Sequence, residues 1–282
     1  MSHIRRSILR AIAIGLSAAS AAACGGADHA APQTDALLET ITADHPVNLQ
    51  KIADGVWVHS SAYRFPGAAL VPSNGLVVED KDALILIDTA WGELATLALL
   101  SKIESDIGKP VTKLIVTHHH YDRLAGVDIL EARGAEVFAH PLTANLSAAR
   151  GTPVPNTTVT ALASPQSRTK LGPVEIAYPG KGHSDDNLVV YVPSAAVLFA
   201  GGLVRGADQT TLGNTADASI SDWPTSLAWV GAAYKDAKFI VPGHGKGGDG
   251  TLSRRTLRLL AATVNAKDSG DTDAAADTKK PK

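Results

Sequence analysis

Short apolar runs bounded by glycine, proline and small polar residues recur along most of this chain, and their period and length separate strands from helices. Residues 55–59 (GVWVH) alternate in the manner of an edge strand. Residues 68–71 and 76–79 predict two further strands, with Pro72-Ser73-Asn74-Gly75 as the turn between them. Residues 83–89 form a continuous apolar run ending in Asp88, which predicts a buried strand. A helical pattern follows over 93–107 and is stopped by Gly108 and Pro110. Lys113-Leu114-Ile115-Val116 predicts a second buried strand. After it come a helix over 125–133, a strand over 136–139 and a helix over 142–150.

The second half repeats the theme with more β. Strands are predicted over 174–178, 187–192, 196–200 and 239–241. Helices are predicted over 223–234, where Trp223-Pro224 follows a cap at Ser221 or Asp222, and over 251–264. Each half is a β-rich run followed by mixed α/β elements. The expectation is α/β: two mixed sheets packed face to face with helices outside, an αββα sandwich with its functional site along one edge.

The globular part spans 47–264 on this reading, and the polar tail from 265 to 282 is expected to be disordered. The N-terminus differs from the rest. Arg5, Arg6 and Arg10 precede an apolar, small-residue stretch over 11–23, which reads as a secretory signal too short to cross a membrane. It ends in Ala21-Ala22-Ala23-Cys24-Gly25. Two processing routes fit: cleavage after an A-x-A, or lipoprotein processing that leaves Cys24 lipidated as the first residue. The lipoprotein reading is preferred, with 24–46 as a flexible tether. The working location is then a periplasm, with an outer-membrane anchor through Cys24. Cys24 is the only cysteine, so no internal disulfide forms and the body of the chain has no thiolate ligand.

A net charge of −2 with 19% charged residues gives no electrostatic reason to expect nucleic acid as a partner.

The chemistry is concentrated in Thr117-His118-His119-His120-Tyr121-Asp122-Arg123, directly after the strand ending at Val116. Loops at the C-terminal ends of buried strands carry chemistry on a rigid support. His118 and His120 are able to converge on one metal and Asp122 to face a second, which predicts hydrolysis by zinc-bound hydroxide. Asp88 is expected to hold the backbone or a ligand imidazole in place. His140, without a metal-binding neighbour in sequence, is read as structural. Residues 63–67 (YRFPG) read either as a flap over a site or as a long hairpin.

Two more loops add His183, in Gly182-His183-Ser184-Asp185-Asp186-Asn187, and His244, in Pro242-Gly243-His244-Gly245. With Ile87-Asp88-Thr89-Ala90-Trp91, Leu212-Gly213-Asn214 and Asp222-Trp223-Pro224, the chain over 47–264 resembles the metallo-β-lactamase superfamily. It is most similar to class B β-lactamases of the first subclass. Arg123 separates it from hydrolases such as glyoxalase II and many lactonases, and from the third β-lactamase subclass, which usually have histidine there.

The resemblance implies a zinc-dependent β-lactamase acting on β-lactam antibiotics, carbapenems among them, and a monomer. It implies that His118, His120 and His183 hold a first, tightly bound Zn2+, and that Asp122 and His244 hold a second. It further implies that Asp122 orients the nucleophile or the second zinc, that Asn214 helps polarise the lactam carbonyl, and that Arg205, in the place of a lysine, binds the substrate carboxylate. One position departs from the family: Gly202 stands where a cysteine ligates the second zinc, so the second zinc is expected to bind more weakly. A water or, less favoured, His119 would fill the vacant ligand position. Two other readings remain: another metallo-hydrolase of this fold, such as a lactonase or thioesterase, and a catalytically weak zinc-binding protein.

Overall fold

A computed structural model of the chain describes residues 45–65 and 70–268. The expected signal segment, Cys24, most of the tether and the tail beyond 268 lie outside the described residues.

Seven strands form the first sheet, in the order β1 (Asn48–Ala53), β2 (Val56–Arg64), β3 (Leu70–Asp80), β4 (Ala83–Ile87), β5 (Val111–Val116), β6 (Glu136–Ala139) and β7 (Thr157–Thr158). β1 to β4 run antiparallel, whereas β4 to β7 are parallel. The second sheet contains β8 (Ser167–Leu171), β9 (Val174–Tyr178), β10 (Val189–Val192), β11 (Val197–Gly201) and β12 (Phe239–Pro242), in the order β12-β11-β10-β9-β8.

The long helices are α1 (Glu93–Asp106), α4 (Pro141–Arg150), α5 (Trp223–Ala233) and α6 (Thr251–Asp268); α2 (Tyr121–Leu124) and α3 (Val127–Ala132) are short. Three apolar layers hold these parts together. Leu97 and Ile103 of α1 pack with Leu84, Leu86 and Leu114 on the outside of the first sheet. Ile85, Ile87 and Ile115 face Ile176, Val190 and Phe199 between the sheets. Leu198 and Ala200 face Trp223 and Leu227 of α5 and Leu260 of α6. Alternate residues of β4 and β11 thus enter different layers, so both strands read as unbroken apolar runs. This is the αββα sandwich.

Several expected elements differ in detail. Pro72-Ser73-Asn74-Gly75 is not a turn but lies inside β3, where Ala62↔Pro72 and Ser60↔Asn74 are paired with β2. This half of β3 extends past β4, whose pairing begins at Leu76, so the missing N–H of Pro72 breaks no ladder there. Gly75 is required for a different reason: a Cβ would come within 2.1 Å of His59 and 2.4 Å of the Ile87 carbonyl. Residues 56–59 are not at the edge, because β1 covers them. β1, β7 and β8 were not anticipated; in β8 the alternating Arg168 and Lys170 are exposed and blunt an edge.

The helix expected over 125–133 begins at Tyr121 instead and breaks at Gly126. A Cβ on Gly126 would lie 2.4 Å from Thr96, so glycine there permits the close approach of α1. α6 continues to Asp268, four residues past the expected end at Val264, since no glycine or proline intervenes before Gly270.

Candidate metal centre

The parallel pairing of β4, β5 and β6 brings their C-terminal ends to one edge. There β5 turns into α2 through His118, His119 and His120, and His120 is the N-cap residue. The loop from β9 to β10 brings His183 to the same place, and the loop after β12 brings His244.

His118 Nε2 and His183 Nε2 each lie 3.1 Å from His120 Nδ1. All three residues form one group of converging ligand atoms. A tetrahedral zinc with Zn–N near 2.0–2.1 Å separates its nitrogens by roughly 3.3 Å, so this triangle is the right size for one face. Burial holds His118 and His183 well below the ordinary imidazole range, and the positive charge of neighbouring imidazoles adds to the effect. Both present neutral lone pairs, as a metal requires.

Each ring is oriented from behind. Thr117 Oγ1 donates to Asp88 Oδ2 at 2.8 Å, which leaves its lone pairs to accept from His118 Nδ1 at 3.1 Å. That hydrogen bond puts the proton on Nδ1 and aims the bare Nε2 inward. Asp88 also accepts from Thr117 N at 2.7 Å and sits in the left-handed region at φ 59°. Burial pushes its carboxyl up to about 7, against the pull of the Arg123 charge and the Thr117 donors. His120 Nε2 lies 2.9 Å from Asp217 Oδ2, and Arg150 binds the other oxygen of Asp217. The hydrogen bond from His120, aided by Arg150, holds Asp217 well below the usual carboxylate range. His183 packs edge-on against Trp223, with ring centroids 5.7 Å apart.

His119 is bound elsewhere: its N and Nδ1 both lie 2.9 Å from the Asp186 carboxylate, which also accepts from Thr143 Oγ1 at 2.8 Å. Its ligand atom lies within 4.8 Å of those of His120 and Asp217, a second group with metal-like spacing. His140 caps α4, accepting from Leu142 N at 3.1 Å.

Asp122 and His244 meet on the other side of the centre, with Asp122 Oδ2 3.2 Å from His244 Nε2. Between them and the core lies Arg123, fully buried. Its Nη2 is 2.7 Å from Asp122 Oδ2, 2.9 Å from His244 Nε2 and 2.9 Å from the Gly243 carbonyl. Burial alone would raise the Asp122 carboxyl, but the Arg123 charge beside it holds it well below the carboxylate range. Gly202 adjoins His183: a Cβ built there would lie 2.1 Å from His183 Cδ2.

Arg205 is 5% exposed and two of its donor groups are engaged, Nε with the Thr211 carbonyl at 3.2 Å and Nη2 with Gln209 Oε1 at 2.9 Å. Burial, reinforced by the charge of Arg123, brings its guanidinium down to about 10. Asn214, on the same loop, is exposed, and its Oδ1 accepts from Ala216 N at 3.1 Å. Tyr63, Phe65 and Trp91 form an aromatic cluster, and Trp91 lies 5.8 Å from the His244 ring. The rest of the suspected flap, 66–67, and the first two residues of the strand expected over 68–71 lie outside the described residues.

Sequence reasoning gave no role to Asp217, Asp186, Thr117 or Arg150, and treated Arg123 only as a family marker. Thr117 and Asp186 lie within the quoted motifs, but Asp88, His119 and His120, which give Thr117, Asp186 and Asp217 their roles, are distant from them along the chain.

The metallo-beta-lactamase superfamily profile matches residues 68–244. A metallo-beta-lactamase type 2 from Bacillus sp. (strain 170) is 39% identical over 218 residues, covering 76% of this chain and 82% of that protein. The structure of a metallo-beta-lactamase from Pontibacter korlensis superposes with a TM-score of 0.71 at 38% identity, over 76% of this chain and 99% of that one. FIM-1 from Pseudomonas aeruginosa, in a mono-zinc form, superposes with a TM-score of 0.73 at 34% identity, over 77% and 96%. With this breadth of likeness in sequence and in fold, the chain belongs to the metallo-beta-lactamase superfamily, among relatives that are hydrolases.

Proposed function

We propose that this protein is a zinc-dependent β-lactamase that opens the lactam amide of β-lactam antibiotics, carbapenems included, with His118, His120 and His183 as the principal metal ligands. The observation that carries this reading is the 3.1 Å convergence of three imidazole nitrogens, two of them on fully buried rings. When bound, zinc supplies Lewis acidity and a water that is deprotonated near neutral pH.

The chain's own residues do the rest. Asp88 and Thr117 hold the His118 ring, and Asp217 holds that of His120. Asp122, kept anionic by Arg123, accepts a hydrogen bond from the attacking water and orients it. Asn214 turns its amide toward the lactam carbonyl, where charge develops as the bond to the ring nitrogen breaks. Arg205 contributes positive charge to the side of the site that receives the substrate carboxylate. Tyr63, Phe65 and Trp91 supply an apolar wall beside His244. Gly202 leaves the second ligand set with Asp122 and His244 alone, so any second metal binds far more weakly than the first.

The proposal extends to location: export directed by the basic and apolar N-terminus, a lipid anchor at Cys24, and a monomeric enzyme at the periplasmic face of a membrane.

The deciding experiment follows hydrolysis of a carbapenem, a lactone and a thioester in ultraviolet light, starting from chelator-treated protein and adding zinc. Carbapenem turnover that returns with zinc is the expected result. Zinc binding with turnover only of the lactone or thioester overturns the lactam assignment. Zinc binding without any turnover leaves a binding protein.

A further inference from the structure

The place a second metal would take is enclosed by three features that belong to this chain, and none of them is a ligand. The first is Arg123. Its guanidinium is fully buried, and one nitrogen, Nη2, lies 2.7 Å from Asp122 Oδ2 and 2.9 Å from His244 Nε2. Asp122 and His244 are the two side chains left to hold that metal, and each sets one of its ligand atoms against the guanidinium. The tautomer of His244 follows from its other nitrogen. Nδ1 lies 2.6 Å from the Pro72 carbonyl and must carry the proton, so Nε2 offers a lone pair and accepts from Arg123. Any metal bound to Asp122 Oδ2 at about 2.1 Å would lie within about 4.8 Å of Nη2, two like charges beside largely buried side chains.

The second feature is the architecture that keeps Arg123 in place. Nη1 donates to the Asn74 carbonyl at 2.7 Å and lies 3.4 Å from Asp88 Oδ2, and Nη2 also donates to the Gly243 carbonyl. Gly243 has to be glycine for this, since a Cβ would come within 2.8 Å of Nη2. The arginine is clamped from β3, from the loop after β4 and from the loop after β12. The third feature is Gly202. It offers no ligand, and the His183 ring occupies the space that a side chain there would need.

We infer that this protein is a one-metal enzyme in which the Arg123 guanidinium takes the electrostatic role of the second cation. It neutralises Asp122, orders His244 and excludes a second metal. Arg123 does not reach solvent, so it is a positioning residue. This rests on the reading of His118, His120 and His183 as the metal ligands.

The test counts metal, independently of turnover. The whole protein is dialysed against zinc from 1 to about 100 μM and bound metal is measured per chain, with cobalt(II) spectra as a parallel readout. Wild type should bind one equivalent, and His244→Gln should bind one equivalent with unchanged affinity. Arg123→Gln, if folded by circular dichroism, should take up a second equivalent at least tenfold more tightly than wild type, whereas Arg123→Lys should remain at one. Two equivalents in wild type, one of them lost in His244→Gln, would overturn the inference and leave the lactamase reading intact. A folded Arg123→Gln that still binds one equivalent with no tighter second step also overturns it. If Arg123→Gln does not fold, the wild-type and His244→Gln counts decide. No bound metal in wild type would instead remove the zinc assignment itself.

Discussion

Histidine does at least four different jobs in this molecule, and burial and partner decide among them. His118, His120 and His183 aim nitrogens at one point, His119 anchors to Asp186, His140 caps a helix, and His244 accepts from an arginine. His59 is a fifth case. It is 1% exposed and its Nε2 lies 3.3 Å from the Ile87 carbonyl and 3.2 Å from that of Asp88. Burial lowers its imidazole to about 4, against the support of those two carbonyls. A folded-state value below the unfolded one makes the neutral ring the stabilising form. Its contribution is complete above about pH 6.5 and is lost as the pH falls toward 4, because the unfolded chain takes up the proton first. Between pH 7.5 and 5 that loss is about 2 kcal/mol. In urea titrations of the zinc-loaded protein, His59→Gln should be less stable than wild type at pH 7.5, and the gap should narrow at pH 5. A gap that widens at pH 5 would contradict this account.

Gly202 belongs to the same scale. Because its added Cβ would meet the His183 ring at 2.1 Å, Gly202→Ala should displace that ring and weaken the first metal by tenfold or more. Competition with a chromophoric chelator reads this directly, and an unchanged affinity would show that the ring has free space to move into. The same contact bears on Gly202→Cys. A thiol there gains a ligand for a second metal only by moving a ligand of the first.

Among the elements, the loop between β9 and β10 is tied to its neighbours through one buried side chain. Asp186 is fully buried, and it joins this loop to the His118–His120 segment through His119 and to α4 through Thr143. Burial would raise its carboxyl, but the hydrogen bonds from His119, Thr143 and Ser184 outweigh that and lower it. The stability it supplies is therefore present above its unfolded value near 3.8 and is lost as the pH falls further. Asp186→Ala leaves the buried donors of His119 and Thr143 unmatched and should cost about 3–5 kcal/mol. It should also lower zinc affinity, since His183 and the His118–His120 segment lose their tie. Denaturant unfolding and metal competition on one preparation would show both effects, and loss of stability alone would mean that the loop holds its place without Asp186.

Element boundaries were legible wherever glycine or proline punctuates a strong period, as in β6, β9, α1 and α5. They were misread where tertiary contacts override the punctuation. Proline and glycine in β3 read as a turn because the space behind Gly75 is invisible until His59 arrives from β2.

For the whole molecule, the three apolar layers hold the fold without involving the metal centre. Removing zinc should therefore leave the far-ultraviolet circular dichroism unchanged. It should still lower the melting temperature, because a ligand that binds only the folded state at 100 times its Kd adds about 2.7 kcal/mol. For a domain of this size that corresponds to roughly 5–10 °C. A chelated protein that loses its secondary structure would show that the layers do not suffice.

The sequence by itself determined the sandwich and pointed to the histidines that converge at its edge, because both are written locally. Apolar runs of strand length fix which segments are buried on both faces, and the H-x-H-x-D spacing, with His183 and His244 beside glycines, places the imidazoles at strand ends. Only the tertiary structure decided what each of those groups faces. His119 meets Asp186 across 67 residues, His120 meets Asp217 across 97, and His244 meets Arg123 across 121. Side-chain period says which face a residue occupies, but the hydrogen-bond partner that sets its tautomer and charge comes from the packing of two sheets and their edge loops. The same packing puts a buried guanidinium beside Asp122 and His244.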